Sequence, residues 1–213
     1  MPNGFEFIAI EGVIGAGKTS LAELLAQRRG ARLILEQFEE NPFLPKFYED
    51  RERFAFPTQM AFLASRFKQQ QQMISKDLFH DMTISDYIFE KDRIFARLNL
   101  NEDEMGLYNN IFNIMSGISA QPDLVIYLQS SVERLMQNIE IRDRTYEKHI
   151  TPAYLQELNE AYNHFFYHYK RSPLIIVNAS EIDFVNNPQH LAYIEEQIFN
   201  QPIRSNVYIN IAP

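Results

Sequence analysis

The sequence predicts an α/β fold, in which a five-stranded parallel sheet is flanked by helices. Two observations carry that expectation. Short apolar runs alternate with segments of helical periodicity along nearly the whole chain, the pattern of a parallel sheet covered on both faces. In addition, a glycine-rich turn stands at the first strand–helix junction, and in open parallel sheets ligands bind at the carboxyl ends of the strands.

The elements follow in order. "FEFIAI", bounded by Gly4 and Gly12, reads as a buried first strand. A helix runs through "KTSLAELLAQRRG" and stops at Gly30. "ARLILE" is the second strand, and "ENPFLPKFYED", with two prolines, is a loop holding a helical turn. "AFPTQMAFLASRFKQQQQMISKDLF" is a long helix with Pro57 near its start or at a kink, its four glutamines forming a solvated face. "DMTISD" is the third strand. Met105, Tyr108, Ile111, Phe112, Met115 and Ile118 then fall at helical spacing. "DLVIYLQ" is the fourth strand, and "SVERLMQNIEIR" is a helix. "TPAYLQELNEAYNHFFYHYK" is another, with Thr151 as N-cap and Pro152 at its first position. "PLIIVNA" is the fifth strand.

The 213 residues suit one domain over 1–213, with a small lid. A formal charge of −8 argues against a polymeric nucleic acid as partner, so any bound anion needs a local positive site. With no cysteine, disulfides, thiolate metal sites and cysteine nucleophiles are excluded. "MPNGFEFIAIEG" lacks the basic start and long apolar stretch of a signal peptide, and no run suits a membrane span. A cytoplasmic location is the expectation.

The five strands end in the glycine loop, Glu36, Asp86, Gln129–Ser130 and Asn178. Gly12-Val13-Ile14-Gly15-Ala16-Gly17-Lys18-Thr19, with Ser20 next, matches G-x-x-x-x-G-K-[ST] in the strand–turn–helix context that the motif demands. Bare backbone N–H groups form an anion nest there, and the helix N-terminus adds its positive end. Such a P-loop suits the triphosphate of ATP: Lys18 neutralises the β and γ phosphates, and the Thr19 hydroxyl ligates Mg²⁺. Asp86 is the carboxylate best placed to share that metal, the other reading being a helix cap. Glu36, one strand over, faces the γ-phosphate and can act as a general base toward an attacking hydroxyl; an ordinary strand-end carboxylate is the alternative. Arg142 and Arg144, with Arg134 nearby, lie in a short charged segment read as a lid, about 138–150, that stabilises transferring charge and excludes water. His164 and His168 have the spacing of a metal pair but no third ligand, and are read as a half-buried face. "DEMG" is a chance D-x-x-G fragment.

Five blocks in order, "IEGVIGAGKTSLA", "LEQFEENPFLPKFYED", Gln59 and Arg66 as Q-x6-R, "DYIFEKDRIFA" and "RDRTYE", make nearly the whole chain resemble the deoxyribonucleoside kinases. The resemblance is to the bacterial deoxyadenosine and deoxyguanosine kinase branch. It implies transfer of the ATP γ-phosphoryl group to the 5′-hydroxyl of a deoxynucleoside, purine preferred and deoxyadenosine first, with Mg²⁺ and in a homodimer. By the same resemblance Glu36 is the general base, and Tyr48 and Glu147 hold the sugar 3′-hydroxyl. Gln59 reads the base edge, Arg66 and Asp92 form a charged pair in the base pocket, and Phe95 stacks on the base. Asp86 joins the substrate site, Arg142 and Arg144 are lid arginines, and Asp183 and Phe184 of "NASEIDF" lie beside the ATP adenine.

Two departures stand out. Asp86-Tyr87-Ile88 replaces the family's frequent Asp/Glu-Arg-Ser, and Asn138 falls where the first lid arginine is expected, with Arg134 one turn earlier. Two other readings stay open on the residues: a thymidylate-type monophosphate kinase, whose substrate would need an extra cationic clamp, and a regulatory P-loop ATPase switch.

Overall fold

The computed structural model describes residues 4–74, 79–117, 119–201, 203 and 206–210. A six-stranded, wholly parallel sheet has the order β2-β3-β1-β4-β5-β6, formed by Phe7–Gly12 (β1), Arg32–Ile34 (β2), Thr83–Ser85 (β3), Leu124–Gln129 (β4), Leu174–Asn178 (β5) and Val207–Ile209 (β6). The expected five strands are therefore one short. β6 escapes periodicity because it has only three residues and is an edge strand, with Tyr208 63% exposed.

The helices are Lys18–Arg29 (α1), Leu44–Glu49 (α2), Arg51–Ile74 (α3), Asp92–Asn99 (α4), Glu102–Ser116 (α5), Val132–Arg142 (α6), Pro152–Tyr167 (α7) and Pro188–Phe199 (α8). α1 ends as expected at Gly30, whose φ of +60° is a left-handed stop. Thr151 caps α7 by accepting from Tyr154 N, with Pro152 at the first position. α5 starts with a capping box between Asn101 and Glu104; Ile118 lies outside the described residues. α3 starts at Arg51, earlier than its apolar pattern, so Pro57 falls inside the helix. Residues 75–78, expected in the same helix, lie outside the described residues.

The strands lose nearly all contact with water: Ile8, Ala9 and Ile10 of β1, and Leu124 to Leu128 of β4, are at most 1% exposed. α7 buries Tyr154, Leu155, Leu158, Tyr162 and Phe166, spaced three and four apart, on the same core. A second cluster, Leu63, Phe89, Ala96, Tyr108 and Phe112, joins α3, α4 and α5 beside the sheet. The glutamine run corrects a further expectation. Gln69 and Gln70 are buried, not solvated. Gln69 Nε2 donates to Leu35 O at 2.8 Å, and Gln70 Oε1 accepts from Ala120 N at 2.8 Å. Buried amides of this kind satisfy backbone groups at loop ends that no ladder reaches.

β1 lies between β3 and β4: the chain first builds β2 and β3 on one side of it, then crosses over to build β4 to β6 on the other. The cleft of such a sheet opens there, at the carboxyl end of β1. A Cβ on Gly30 would meet nothing within 4 Å, so Gly30→Ala isolates the backbone term. It should cost about 1–2 kcal/mol, read as a lower urea midpoint with unchanged slope. An unchanged midpoint would count against the left-handed stop.

Candidate active site

The glycine loop closes the end of β1. Gly15 and Gly17 have φ of +86° and +91°, and a Cβ on Gly17 would come within 2.9 Å of the Phe184 ring. Side chains are thus barred both by backbone conformation and by space. Lys18 Nζ folds back over the loop onto the carbonyls of Gly12 and Val13, at 2.8 and 3.1 Å. Burial, then repulsion from Lys91, lowers its pKa to about 8. Asn138 donates from Nδ2 to Gly15 O at 2.7 Å. In place of a lid arginine, this position pins the loop's backbone.

Thr19 and Asp86 are adjacent: the hydroxyl donates to Asp86 Oδ2 at 2.6 Å. Asp86 Oδ1 accepts from Glu36 N at 2.7 Å, tying the segment after β2 to the end of β3. A hydroxyl and a carboxylate are the hard oxygen donors that Mg²⁺ takes in phosphate sites, where waters and phosphates supply the rest.

Glu36 lies two residues past the end of β2. Its carboxylate is held at both oxygens. Oε1 accepts from Arg66 Nε and Nη2 at 2.7 and 2.5 Å, and Oε2 from Lys91 Nζ at 2.6 Å. Burial alone would raise its pKa; Arg66 and Lys91 overcome that and bring it to about 2. Arg66 also bonds Asp92, which is fully buried, so the expected pair is present. Asp92 accepts further from Tyr108 OH at 2.8 Å and Gln59 Nε2 at 2.5 Å. Gln59 Nε2 also donates to the backbone carbonyl of Asp92 at 2.9 Å; a carbonyl only accepts, so the amide nitrogen must face Asp92, which leaves Gln59 Oε1 as an acceptor.

At the opposite rim, Arg142 grips the buried Glu147 through Nε (3.0 Å) and Nη2 (2.7 Å), and Arg144 Nη1 stands 3.6 Å from the same carboxylate. The Arg144 guanidinium also lies 4.3 Å over the Phe38 ring. Tyr48 is half-buried, with a pKa raised by desolvation and then by Tyr154 and Glu147. Phe95 meets Tyr162 edge-on at 6.0 Å.

One pocket gathers nearly all of these groups. Ile14, Lys18 and Thr19 line it beside Glu36, Asp86 and Lys91, together with Tyr48, Gln59, Arg66, Phe95, Arg142, Arg144 and Glu147. Asp92 lies behind the wall, reached through Gln59 and Arg66. Val13 and Ala16 are buried in the core beside the loop, and Ser20 sits in the first turn of α1. Asp183 and Phe184 do not line this pocket: Phe184 packs behind Gly17, and Asp183 accepts from Val185 N and Asn186 N.

Three supporting residues escaped the sequence reading. Lys91 lies in "DYIFEKDRIFA", and Tyr108 among the residues at helical spacing, but neither takes a part in the site on the sequence alone. Glu11 is fully buried and accepts from Ile88 N at 2.9 Å and Gly12 N at 3.0 Å. Only Glu11, a charge inside an otherwise apolar strand, left a visible signal.

Fold and pocket together define a P-loop α/β protein in which a pocket of charged and aromatic side chains extends from the glycine loop. The chain belongs to the deoxynucleoside kinase family, whose model matches residues 8–204. It is 38% identical to a deoxyguanosine kinase of Bacillus subtilis over 161 residues, covering 75% of this chain and 78% of that protein. It is 37% identical to a deoxyadenosine kinase of Dictyostelium discoideum, covering 87% and 76%. The solved deoxyadenosine kinase from M. mycoides with products dCMP and a flexible dCDP bound superposes with a TM-score of 0.80 at 26% identity, over 92% of this chain and all of that one. Among the described residues, no helix is long and apolar enough to cross a membrane.

Glu36 links the site to stability. A carboxylate whose folded pKa is depressed contributes stability above its unfolded pKa, and loses it as pH falls through the folded value. With 4.5 and about 2 as the two values, the contribution is on the order of 3 kcal/mol at neutral pH and disappears between about pH 4.5 and 2. The stability gap between wild type and Glu36→Gln, from urea unfolding at several pH values, should be widest at pH 7 and narrow toward pH 2. A constant gap would reject the ion pairs as its source.

Proposed function

We propose that this chain transfers the γ-phosphoryl group of ATP to the 5′-hydroxyl of a purine deoxyribonucleoside, deoxyadenosine foremost. One observation carries the reading: Glu36 shares a single pocket with Lys18, Thr19 and Asp86 on one side and Gln59, Arg66 and Phe95 on the other. A hydroxyl resting on Glu36 would have the triphosphate beside it and its base in the polar end.

The chemistry follows from those positions. Glu36 accepts a hydrogen bond from the 5′-hydroxyl and orients its oxygen at the γ-phosphorus. The new O–P bond forms as the bond to the β-phosphate oxygen breaks, and the hydroxyl proton passes to the carboxylate. With its pKa near 2, Glu36 is a weak base; a loose transition state needs little proton removal before the bond forms, so orientation dominates. Mg²⁺, held by Thr19 and Asp86, would neutralise phosphate charge when bound. Lys18 supports the β and γ phosphates. Residues 138–150 act as the lid, and Arg142 and Arg144 stand on Glu147, where substrate can exchange that partnership for phosphate. Tyr48 and Glu147 take the sugar 3′-hydroxyl.

Base choice follows from donor counting. Gln59 presents an acceptor, and three of the five Arg66 N–H groups already serve Glu36 and Asp92. That arrangement favours adenine, whose exocyclic amine donates, over guanine, whose O6 accepts. The relatives named for both purines support the class of acceptor.

The test is purified protein with ATP–Mg²⁺ and each of the four deoxynucleosides, with deoxyadenosine monophosphate as a control acceptor. Deoxyadenosine should turn over fastest and the monophosphate not at all; phosphorylation of none of the nucleosides would sink the proposal. Glu36→Gln should keep nucleoside binding and lower kcat by roughly 10²–10⁴. An unchanged kcat would remove Glu36 as the base.

A further inference from the structure

Lys91 has no assigned part in the chemistry above, yet it is a buried cation in direct contact with Glu36. It ends a 3₁₀ turn, Phe89–Lys91, that leads into α4. Its side chain is almost wholly removed from water and lines the same pocket as Lys18 and Thr19. The segment that carries it is fixed from below, because Ile88 N donates to the buried Glu11 at 2.9 Å. Tyr87, at the position where a guanidinium was expected, is 0% exposed and does not line the pocket.

The contact pattern says what that cation does. Arg66 binds only Oε1 of Glu36, through two of its nitrogens. Held there alone, the carboxylate could swing about Oε1. Lys91 binds only Oε2, at 2.6 Å. Two cations on two different oxygens fix both the plane and the rotation of the carboxylate, and so the lone pairs that remain for an acceptor hydroxyl. Misplacement of such a group by about 1 Å is enough to cost a large factor in rate.

We propose that Lys91 is a positioning residue of the phosphoryl-transfer site, holding the Glu36 carboxylate in line with the acceptor hydroxyl in place of the arginine that Tyr87 displaces. This rests on the kinase reading above. If Lys91 acts through Glu36, its removal matters only while Glu36 is a carboxylate.

A double-mutant cycle tests this. Lys91→Met should lower kcat about 10- to 100-fold while the dissociation constant for the nucleoside, from calorimetry, stays within about threefold. Lys91→Arg should restore most of kcat. In the Glu36→Gln background, Lys91→Met should lower kcat by less than about twofold, because the group it positions is already disabled. Equal losses in both backgrounds would overturn the proposal, as would a Lys91→Met enzyme with wild-type kcat. Should Lys91→Met alone fail to fold, Glu36→Gln against Glu36→Gln/Lys91→Met still decides, since that double variant removes both charges of the pair. A wild-type protein that phosphorylates no deoxynucleoside would instead fail the kinase reading, and this inference with it. Active wild type with additive losses would fail Lys91 alone.

Discussion

The site depends on a chain of charges running from Lys91 to Glu36, Arg66 and Asp92, all buried except Glu36, whose side chain is 12% exposed to the pocket. None of these groups could be left unpaired in so dry a place; the desolvation of each is several kcal/mol and is offset only by its neighbours. Asp92 is stabilised further by Tyr108 and Gln59. The residues proposed to read the nucleobase and the proposed general base are therefore one electrostatic unit. Changing one member alters the field at all of them, so single substitutions here are expected to combine non-additively.

The fold explains how residues so far apart in sequence reach one another. Glu36 and Asp86 follow the carboxyl ends of β2 and β3, and Lys18 and Thr19 start the helix after β1. Parallel strands bring those ends to one rim, and the β1 switch point opens it. α3 then supplies Gln59 and Arg66 seven residues apart, two helical turns, so both point into the pocket from one face.

Much of this was legible in the sequence, and the limits have physical causes. The glycine loop is readable because its backbone demands are local: the positive φ of Gly15 and Gly17 admits few other residues. Strand ends such as Glu36 and Asp86 are readable because parallel topology assigns them a common edge. β6 is not, since a three-residue edge strand has too few positions to show a period. The glutamine run misled for a similar reason: composition suggests solvent, but Gln69 and Gln70 serve backbone groups of Leu35 and Ala120 that only the tertiary fold brings near. Lys91 stayed hidden because nothing in "FEKDR" distinguishes a buried lysine from a surface one. The neighbours that stabilise its charge come from Glu36 and Glu11, distant in sequence.

Helix α6 touches both halves of the pocket. Asn138 holds the Gly15 carbonyl, and one turn later Arg142 grips Glu147 on the far wall. A rigid helix anchored at two such points cannot tilt at one end without pulling at the other. On the proposed reading, Glu147 belongs to the sugar site and Arg142 to the phosphate site, so their contact couples acceptor binding to the set of cations that ATP meets. The molecule would thereby guard against idle hydrolysis, with water denied the arrangement that a proper acceptor completes.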